Sequence, residues 1–358
     1  MAHRITLIPG DGIGPEVIDA ARRVVEATGV PVEWDRQDMG AGAFSRAGDP
    51  LPPATLASLR STRVALKGPI ETPITSGLRS TNMALRQGLD LYANVRPCRH
   101  YEGVPSVYGD VDVVIVRENT EGMYTGIEIE MGTPAAAELI GFIRDRTGRE
   151  VRADSGISVK DISEFGSERI VRFAFDWARA HGRQRVTAGH KANIMKFSDG
   201  LFLEVARRVA AAHPSIAFDD RIIDALAMQL IQTPDRFDLL VLPNMYGDLA
   251  AELCAGLIGG TGVAPGAHFG EDLAVFEATH GTARQLTGTN RANPVGAILS
   301  AAMLLHHVGE GDAGARVEAA VIAIVAEGVD VTADLRAPGD DRPAAGTFQV
   351  AAAVAARV

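Results

Sequence analysis

Three arginines sit at the ends of apolar or amphipathic stretches: Arg86 in RSTNMALR, Arg96 in LYANVRP and Arg117 in VIVREN. A guanidinium fork donates two parallel hydrogen bonds that match a carboxylate, so three forks suit a small polyanionic acid. Three unrelated surface salt bridges would give the same spacing. Asp248 and Glu252 stand at i and i+4 in NMYGDLAAE, hence on one helix face, and Asp224 lies in the apolar run Ile222–Leu226. Carboxylates gathered without histidine or thiolate point to a hard cation, Mg2+ or Mn2+, with helix capping as the alternative for Asp248. Lys191 in GHKAN and Tyr124 in EGMYTG are candidate proton-transfer groups. Their ordinary pKa values, about 10, call for a nearby metal or cation. His280 in THGT is a candidate wall of a nucleotide pocket. No Ser-His-Asp set or H-E-x-x-H motif can be read off, which weakens a hydrolase reading.

These residues hang on alternating strands and helices. Arg4–Ile8 reads as a buried strand, and Pro15 suits the first turn of a helix whose apolar face is Val17, Ile18, Ala21, Val24 and Val25. The intervening Gly10-x-Gly12-x-Gly14 lacks the G-x-G-x-x-G spacing of a dinucleotide fingerprint and reads as a tight turn. Strand-like runs return at 64–66, 111–116, 185–188, 239–242 and 273–276, with amphipathic helices around Ile170–Trp177 and Leu201–Val209. This alternation predicts an α/β fold with much parallel sheet. Residues 128–152 have no strong period and form a candidate protruding arm.

The chain of 358 residues is long enough for two domains, and 46% hydrophobic content supplies a sizeable core. A net charge of −10 and 5% aromatic residues argue against nucleic-acid and anionic-membrane partners. Two cysteines, Cys98 and Cys254, make neither a disulfide framework nor a thiolate zinc site. With no apolar run of about 18 residues and no secretory-type start, the expected location is cytoplasmic.

Taken together, LIPGDGIGPE, LKGPIETP, RSTNMALR, DLYANVRP, VIVRENTEGMYTGIE, HKANIMKFSDG, NMYGDLAAELCAGLIGG and FEATHGTA, in that order, resemble the metal-dependent β-decarboxylating dehydrogenases of isocitrate, 3-isopropylmalate, homoisocitrate and tartrate. The resemblance implies a two-domain α/β fold distinct from the classical Rossmann fold. Residues 1–98 and 259–358 would form the large domain with most of the nucleotide pocket. Residues 99–258 would form the small domain and dimer interface, with a clasp-like arm over 122–163. It implies a homodimer with shared sites, in which Arg86, Arg96 and Arg117 bind substrate carboxylates and Tyr124 and the neighbour's Lys191 form the acid–base pair. The metal carboxylates would be Asp248, Glu252 and the neighbour's Asp224, although Glu252 stands where the family usually has aspartate. Thr72, Asn193, His280, Gly281, Thr282, Ala283, Gln285, Leu286 and Asn293 would form the cofactor site. The polar pair Ser80 and Asn82 resembles the isocitrate enzymes, whereas isopropylmalate enzymes have apolar residues there. Isocitrate is therefore the expected substrate, with another 3-substituted malate as the alternative and a non-catalytic regulatory subunit a remoter one. After Ala283, Arg284-Gln285-Leu286 matches neither usual nucleotide selector. The missing Lys-Tyr pair favours NAD, with NADP the alternative should Arg284, Arg291 or Arg336 meet a 2′-phosphate.

Overall fold

The computed structural model describes residues 2–71, 80–337 and 339–358. Ten strands form the main sheet: β1 (His3–Ile8), β2 (Val32–Arg36), β3 (Val64–Lys67), β4 (Ala93–Arg99), β5 (Asp112–Glu118), β8 (Arg185–His190), β9 (Ala217–Ile222), β10 (Leu239–Leu242), β11 (Ala267–Phe269) and β12 (Ala274–Phe276). A separate two-stranded ribbon pairs β6 (Glu128–Ile129) with β7 (Ile157–Ser158). The helices are α1 (Gly14–Ala27), α2 (Ala41–Ala47), α3 (Pro53–Thr62), α4 (Thr81–Gly88), α5 (Pro134–Thr147) and α6 (Glu164–Ala180). They continue as α7 (Asp199–Ala210), α8 (Ile223–Gln232), α9 (Asn244–Leu257), α10 (Val295–His307), α11 (Gly311–Glu327) and α12 (Thr347–Ala355).

The sheet order is β2-β1-β3-β12-β11-β4-β5-β10-β8-β9. The strands are parallel within each wing, and an antiparallel joint through β12, β11, β4 and β5 connects the wings. Both faces are covered, as a parallel sheet requires. Alternation along the central strands splits the core. Val113, Ile115, Leu240 and Leu242 pack with α1, α9 and α10, whereas Val114, Val116, Leu239 and Val241 pack with α6 and α7.

The arm contains α5, for which the sequence gives no strong period. Ala136 is its one fully buried residue, so the rest of the chain imposes no apolar stripe on it. No helix among the described residues is long and apolar enough to cross a membrane.

The glycine loop proves to be a packing device. Gly12 has φ +60°, and an added Cβ would overlap the carbonyl oxygen of Thr282, which accepts the Ile13 amide at 2.9 Å. The close approach holds the first turn of the chain against the segment that follows β12. Gly12→Ala should therefore destabilise the fold by about 1–3 kcal/mol in denaturant melts. Gly141→Ala, in the open interior of α5 with nothing within 4 Å, should be neutral or slightly stabilising.

Candidate active site

Sheet register gathers the charged groups. Asn94 lies opposite Arg117, and Arg96 opposite Ile115, so Asn94, Arg96 and Arg117 share one face. His268 lies opposite both Asn94 and Val275, and Val275 lies opposite Ala65. Glu277 and Lys67, each two residues beyond a member of that row, fall on the same side. Across from this face stand Asp248 and Glu252 on α9 and Asn82 and Arg86 on α4. The open cavity between them, about 220 Å³, is lined by Asn82, Arg86, Arg96, Asp248, Glu252 and Glu277, among others. Helix α9 approaches closely because Gly247 faces Arg117, where a Cβ would come within 2.6 Å of the arginine side chain.

The arginines are buried rather than scattered in surface salt bridges: Arg117 is 1% exposed, Arg96 9% and Arg86 11%. Arg117 donates to Asn244 Oδ1 from Nε at 3.0 Å and from Nη2 at 2.7 Å, and its Nη1 pairs with Asp248. Arg96 lies 3.5 Å from Asp248 and 3.3 Å from Glu252. Tyr124, in the short turn Gly122–Thr125, donates to Asp248 Oδ2 at 2.7 Å, and its ring lies under the Arg117 guanidinium. Burial works against the charge of Asp248, but Arg117 and Arg96 outweigh it and hold the carboxyl below its usual range. Burial and the Asp248 contact together push the Tyr124 phenol up. Burial also raises the Glu252 carboxyl, with Arg96 opposing. Ser80 begins α4, its hydroxyl accepting the Met83 amide at 3.4 Å. The Asn82 Oδ1 is buried without a partner among the described residues.

Asp224 and Lys191 are not brought to this cavity. They pair with each other at the surface, Lys191 just beyond β8 and Asp224 in the first turn of α8. The described residues of one chain include no group of three His, Cys, Asp or Glu fit to hold a metal. Asp248 and Glu252 nonetheless present carboxylate oxygens from successive turns of α9, the donor type of Mg2+ and Mn2+.

A second cavity of about 280 Å³ includes Ile13, His280, Leu286, Arg291, Asn293 and Asp334 in its lining. Burial lowers the His280 pKa, and its Nε2 has no partner among the described residues. Asn293 Nδ2 donates to Asp334 at 2.9 Å. Gly281 lines the arginine cavity, next to Thr282 and Ala283, while Gln285 is exposed on the turn Arg284–Leu286. Asn193 is exposed near Lys191 and lines neither cavity. Thr72 lies outside the described residues. Arg284 pairs with Glu71. The Arg336 side chain, 8% exposed, is held by Asp340 and by the Gly328 and Val329 carbonyls.

The sequence reading assigned no role to Lys67, Asn94, Asn119, Asn244, His268 or Glu277. The available signal was a charged residue directly following an apolar strand, as Lys67 follows Val64–Leu66 and Glu277 follows Ala274–Phe276.

An arginine-lined cavity that shares His280 with a second cavity is a layout suited to a hydroxy-acid dehydrogenase. Over residues 4–354 the chain matches the family described as isocitrate/isopropylmalate dehydrogenase, and it belongs to that family. It is 43% identical over 341 residues to a Caenorhabditis elegans protein named probable NAD isocitrate dehydrogenase subunit alpha, mitochondrial, covering 94% of this chain and 88% of the relative. It is likewise 43% identical over 333 residues to the human mitochondrial NAD isocitrate dehydrogenase subunit alpha, covering 92% of this chain and 85% of the relative. The crystal structure of isocitrate dehydrogenase from Methylococcus capsulatus superposes with a TM-score of 0.90 at 48% identity, covering 99% of each chain. The cytoplasmic location expected from the sequence is corrected by these relatives, whose names place the curated ones in mitochondria. Few cysteines and no membrane-length apolar run do not distinguish those compartments.

Asp248 ties the arginines to the fold, with a definite sign in pH. Its folded pKa is depressed, so its stabilising contribution is complete above the ordinary carboxylate range and disappears as pH falls through the lowered value. Arg117→Met removes the largest cause of that lowering. It should cost about 1–3 kcal/mol at pH 7 and move the onset of acid unfolding to higher pH in circular-dichroism titrations.

Proposed function

We infer that the protein oxidatively decarboxylates isocitrate to 2-oxoglutarate with reduction of NAD. The observation that carries this reading is the convergence of Arg86, Arg96 and Arg117 on one cavity whose wall also holds the buried Asn82 amide. A carboxylate on the third arm accepts a hydrogen bond from the Nδ2 of that amide, since Oδ1 is itself only an acceptor. An isopropyl arm would leave it unpaired, at about 1–3 kcal/mol. Pairing of Arg284 with Glu71 and enclosure of Arg336 leave Arg291 and Asp334 as the charged pair facing the second cavity, which favours NAD.

In this mechanism the arginine forks hold the substrate carboxylates and fix C2 for hydride transfer towards the nicotinamide. Lys191, in its neutral amine form, relays the C2 hydroxyl proton as the hydride leaves C2. After carbon dioxide departs from C3, Tyr124, already hydrogen-bonded to Asp248, returns a proton to that carbon. Asp248 and Glu252, with Asp224, would hold the divalent cation, which when bound supplies Lewis-acid polarisation at the C2 oxygen.

Lys191 and Asp224 reach this cavity from a second copy of the chain in our reading. Supporting it, the pair lies at the surface beside Ile194 and Phe197, the latter 95% exposed. Helices α8 and α9 also expose Met228, Ile231, Met245 and Leu249. We place the large domain at residues 1–98 and 259–358, the small domain at 99–258, and the clasp at 122–163.

Assays following NADH and NADPH formation, with isocitrate, homoisocitrate, isopropylmalate, tartrate and malate in parallel, test the substrate directly. Isocitrate with NAD and Mn2+ should give the highest kcat/KM, and preference for isopropylmalate would refute the reading. Lys191→Met and Tyr124→Phe should each lower kcat by about 10²–10⁴. Refolding the two variants together should restore up to about a quarter of wild-type activity, since half the dimers are hybrids with one intact site. No recovery in verified hybrid dimers would mean that sites are not shared. Activity that requires a different polypeptide would replace the homodimer with a heteromer.

A further inference from the structure

Glu277 balances the charge of the cavity from beneath. Its Oε2 pairs with the buried Lys67 ammonium, while Oε1 lies 2.7 Å from His268 Nε2 and 4.0 Å from Arg86 Nη2. His268 is itself buried, and two amides pack against it, Asn119 at its other ring nitrogen and Asn94 over the ring. Asn94 Nδ2 and Asn119 Nδ2 each lie 3.1 Å from His268 Nδ1. Their orientation is fixed independently. Asn94 Nδ2 donates to the Ala267 carbonyl at 3.1 Å, and Asn119 Nδ2 to the Leu91 carbonyl at 2.9 Å. A carbonyl only accepts, so each amide turns its NH2 group this way and has a second hydrogen for the imidazole.

The Asn119 amide, which reaches Nδ1 alone, donates to its lone pair, and this places the ring proton on Nε2, against Glu277. Asn94 Nδ2, 3.1 Å from Nδ1 and 3.3 Å from Nε2, stands over the ring face, and the Glu277 carboxylate is the partner of Nε2. We propose that His268 is a positioning residue. As a neutral Nε2–H donor clamped by Asn94 and Asn119, it fixes the Glu277 carboxylate between Lys67 and Arg86, and so keeps Arg86 aimed into the substrate cavity. The claim rests on Arg86 being a substrate ligand, as read above.

A doubly protonated ring would set an Nδ1–H against the Asn119 N–H donor, so the geometry opposes charge at this position. The charged groups around it are Glu277 beyond β12, Arg86 on α4 and Arg96 on β4, with Lys67 of β3 behind Glu277. Burial and the two arginines together push the His268 pKa down to about 4, Glu277 opposing. Burial likewise opposes the charge on Glu277, yet Lys67 and His268 hold its carboxyl well below the usual range. The cluster therefore keeps one charge state through the range in which a free histidine titrates.

The full chain, labelled with 15N-histidine, provides the first test, with His268→Gln identifying the resonances. A neutral Nε2–H ring from about pH 5.5 to 8.5 supports the proposal; an Nδ1–H tautomer, or titration inside that range, overturns it. Kinetics provide the second. His268→Leu should fold and should raise KM for isocitrate about tenfold, with a smaller change in kcat. His268→Gln, which retains an acceptor and a donor, should recover most of that loss. A folded His268→Leu enzyme with wild-type KM overturns the proposal, and the spectra of the unsubstituted chain decide if the leucine variant fails to fold. Failure of the unsubstituted chain to turn over isocitrate, with the expected tautomer present, counts against the substrate reading alone.

Discussion

Burying guanidinium groups beside an apolar sheet requires carboxylates held as firmly as the cations, because a charge stripped of water without a partner costs several kcal/mol. Asp248 and Glu277 meet that requirement from opposite sides of the cavity. Asp248 takes Arg117 and Arg96 together with the Tyr124 hydroxyl, and Glu277 takes Lys67 and lies near Arg86. Each carboxylate serves several cations, so the cavity retains more N–H donors than its own acceptors occupy. In the proposed function that surplus is what a polyanionic acid would engage, and stability and substrate recognition would then fall on the same residues.

Holding these charges in place is the work of the antiparallel joint. Since side chains alternate at each residue, a one-residue slip of β4 would turn Asn94 and Arg96 into the space now occupied by Ala93, Val95, Ile170 and Phe175. Those apolar residues against α6 and α7 make the correct register obligatory. Gly247 then lets α9 settle onto Arg117, and Asn244 at the start of α9 bonds two nitrogens of that arginine. Sheet register, helix approach and charge pairing thus specify one another.

Much of this was legible from residue type and position. Arg96, Arg117, Asp248 and Glu252 flank strongly apolar runs, and their spacing alone placed the two carboxylates on one face. The strands at 4–8, 111–116 and 239–242 were equally plain because their apolar runs end at glycine, proline or charge. Strand β2, with its burial only partial, carried no comparable run. His268 was hidden for a different reason: Asn94 and Asn119 are distant in sequence and reach it only through the pairing of β11 with β4 and of β4 with β5, while the antiparallel turn of β11 into β12 brings Glu277 back onto it. The arm helix α5 escaped because almost nothing in its own chain covers it.

The nucleotide side shows how a cation's neighbours outweigh its presence. Counting Arg284, Arg291 and Arg336 around the segment after β12 would suggest a site for an extra phosphate. Yet Arg336 is enclosed by Asp340 and backbone carbonyls, and Arg284 is drawn to Glu71. The remaining arginine shares its cavity with Asp334, whose carboxylate is fixed by Asn293. A 2′-phosphate would bring about two negative charges towards that carboxylate and would have to displace an existing ion pair to gain a second arginine. A ribose hydroxyl meets neither obstacle, since it can donate to a carboxylate oxygen. If the nucleotide occupies this cavity as proposed, discrimination between the two nucleotides arises as much from which cations are already engaged as from any residue that touches the ribose.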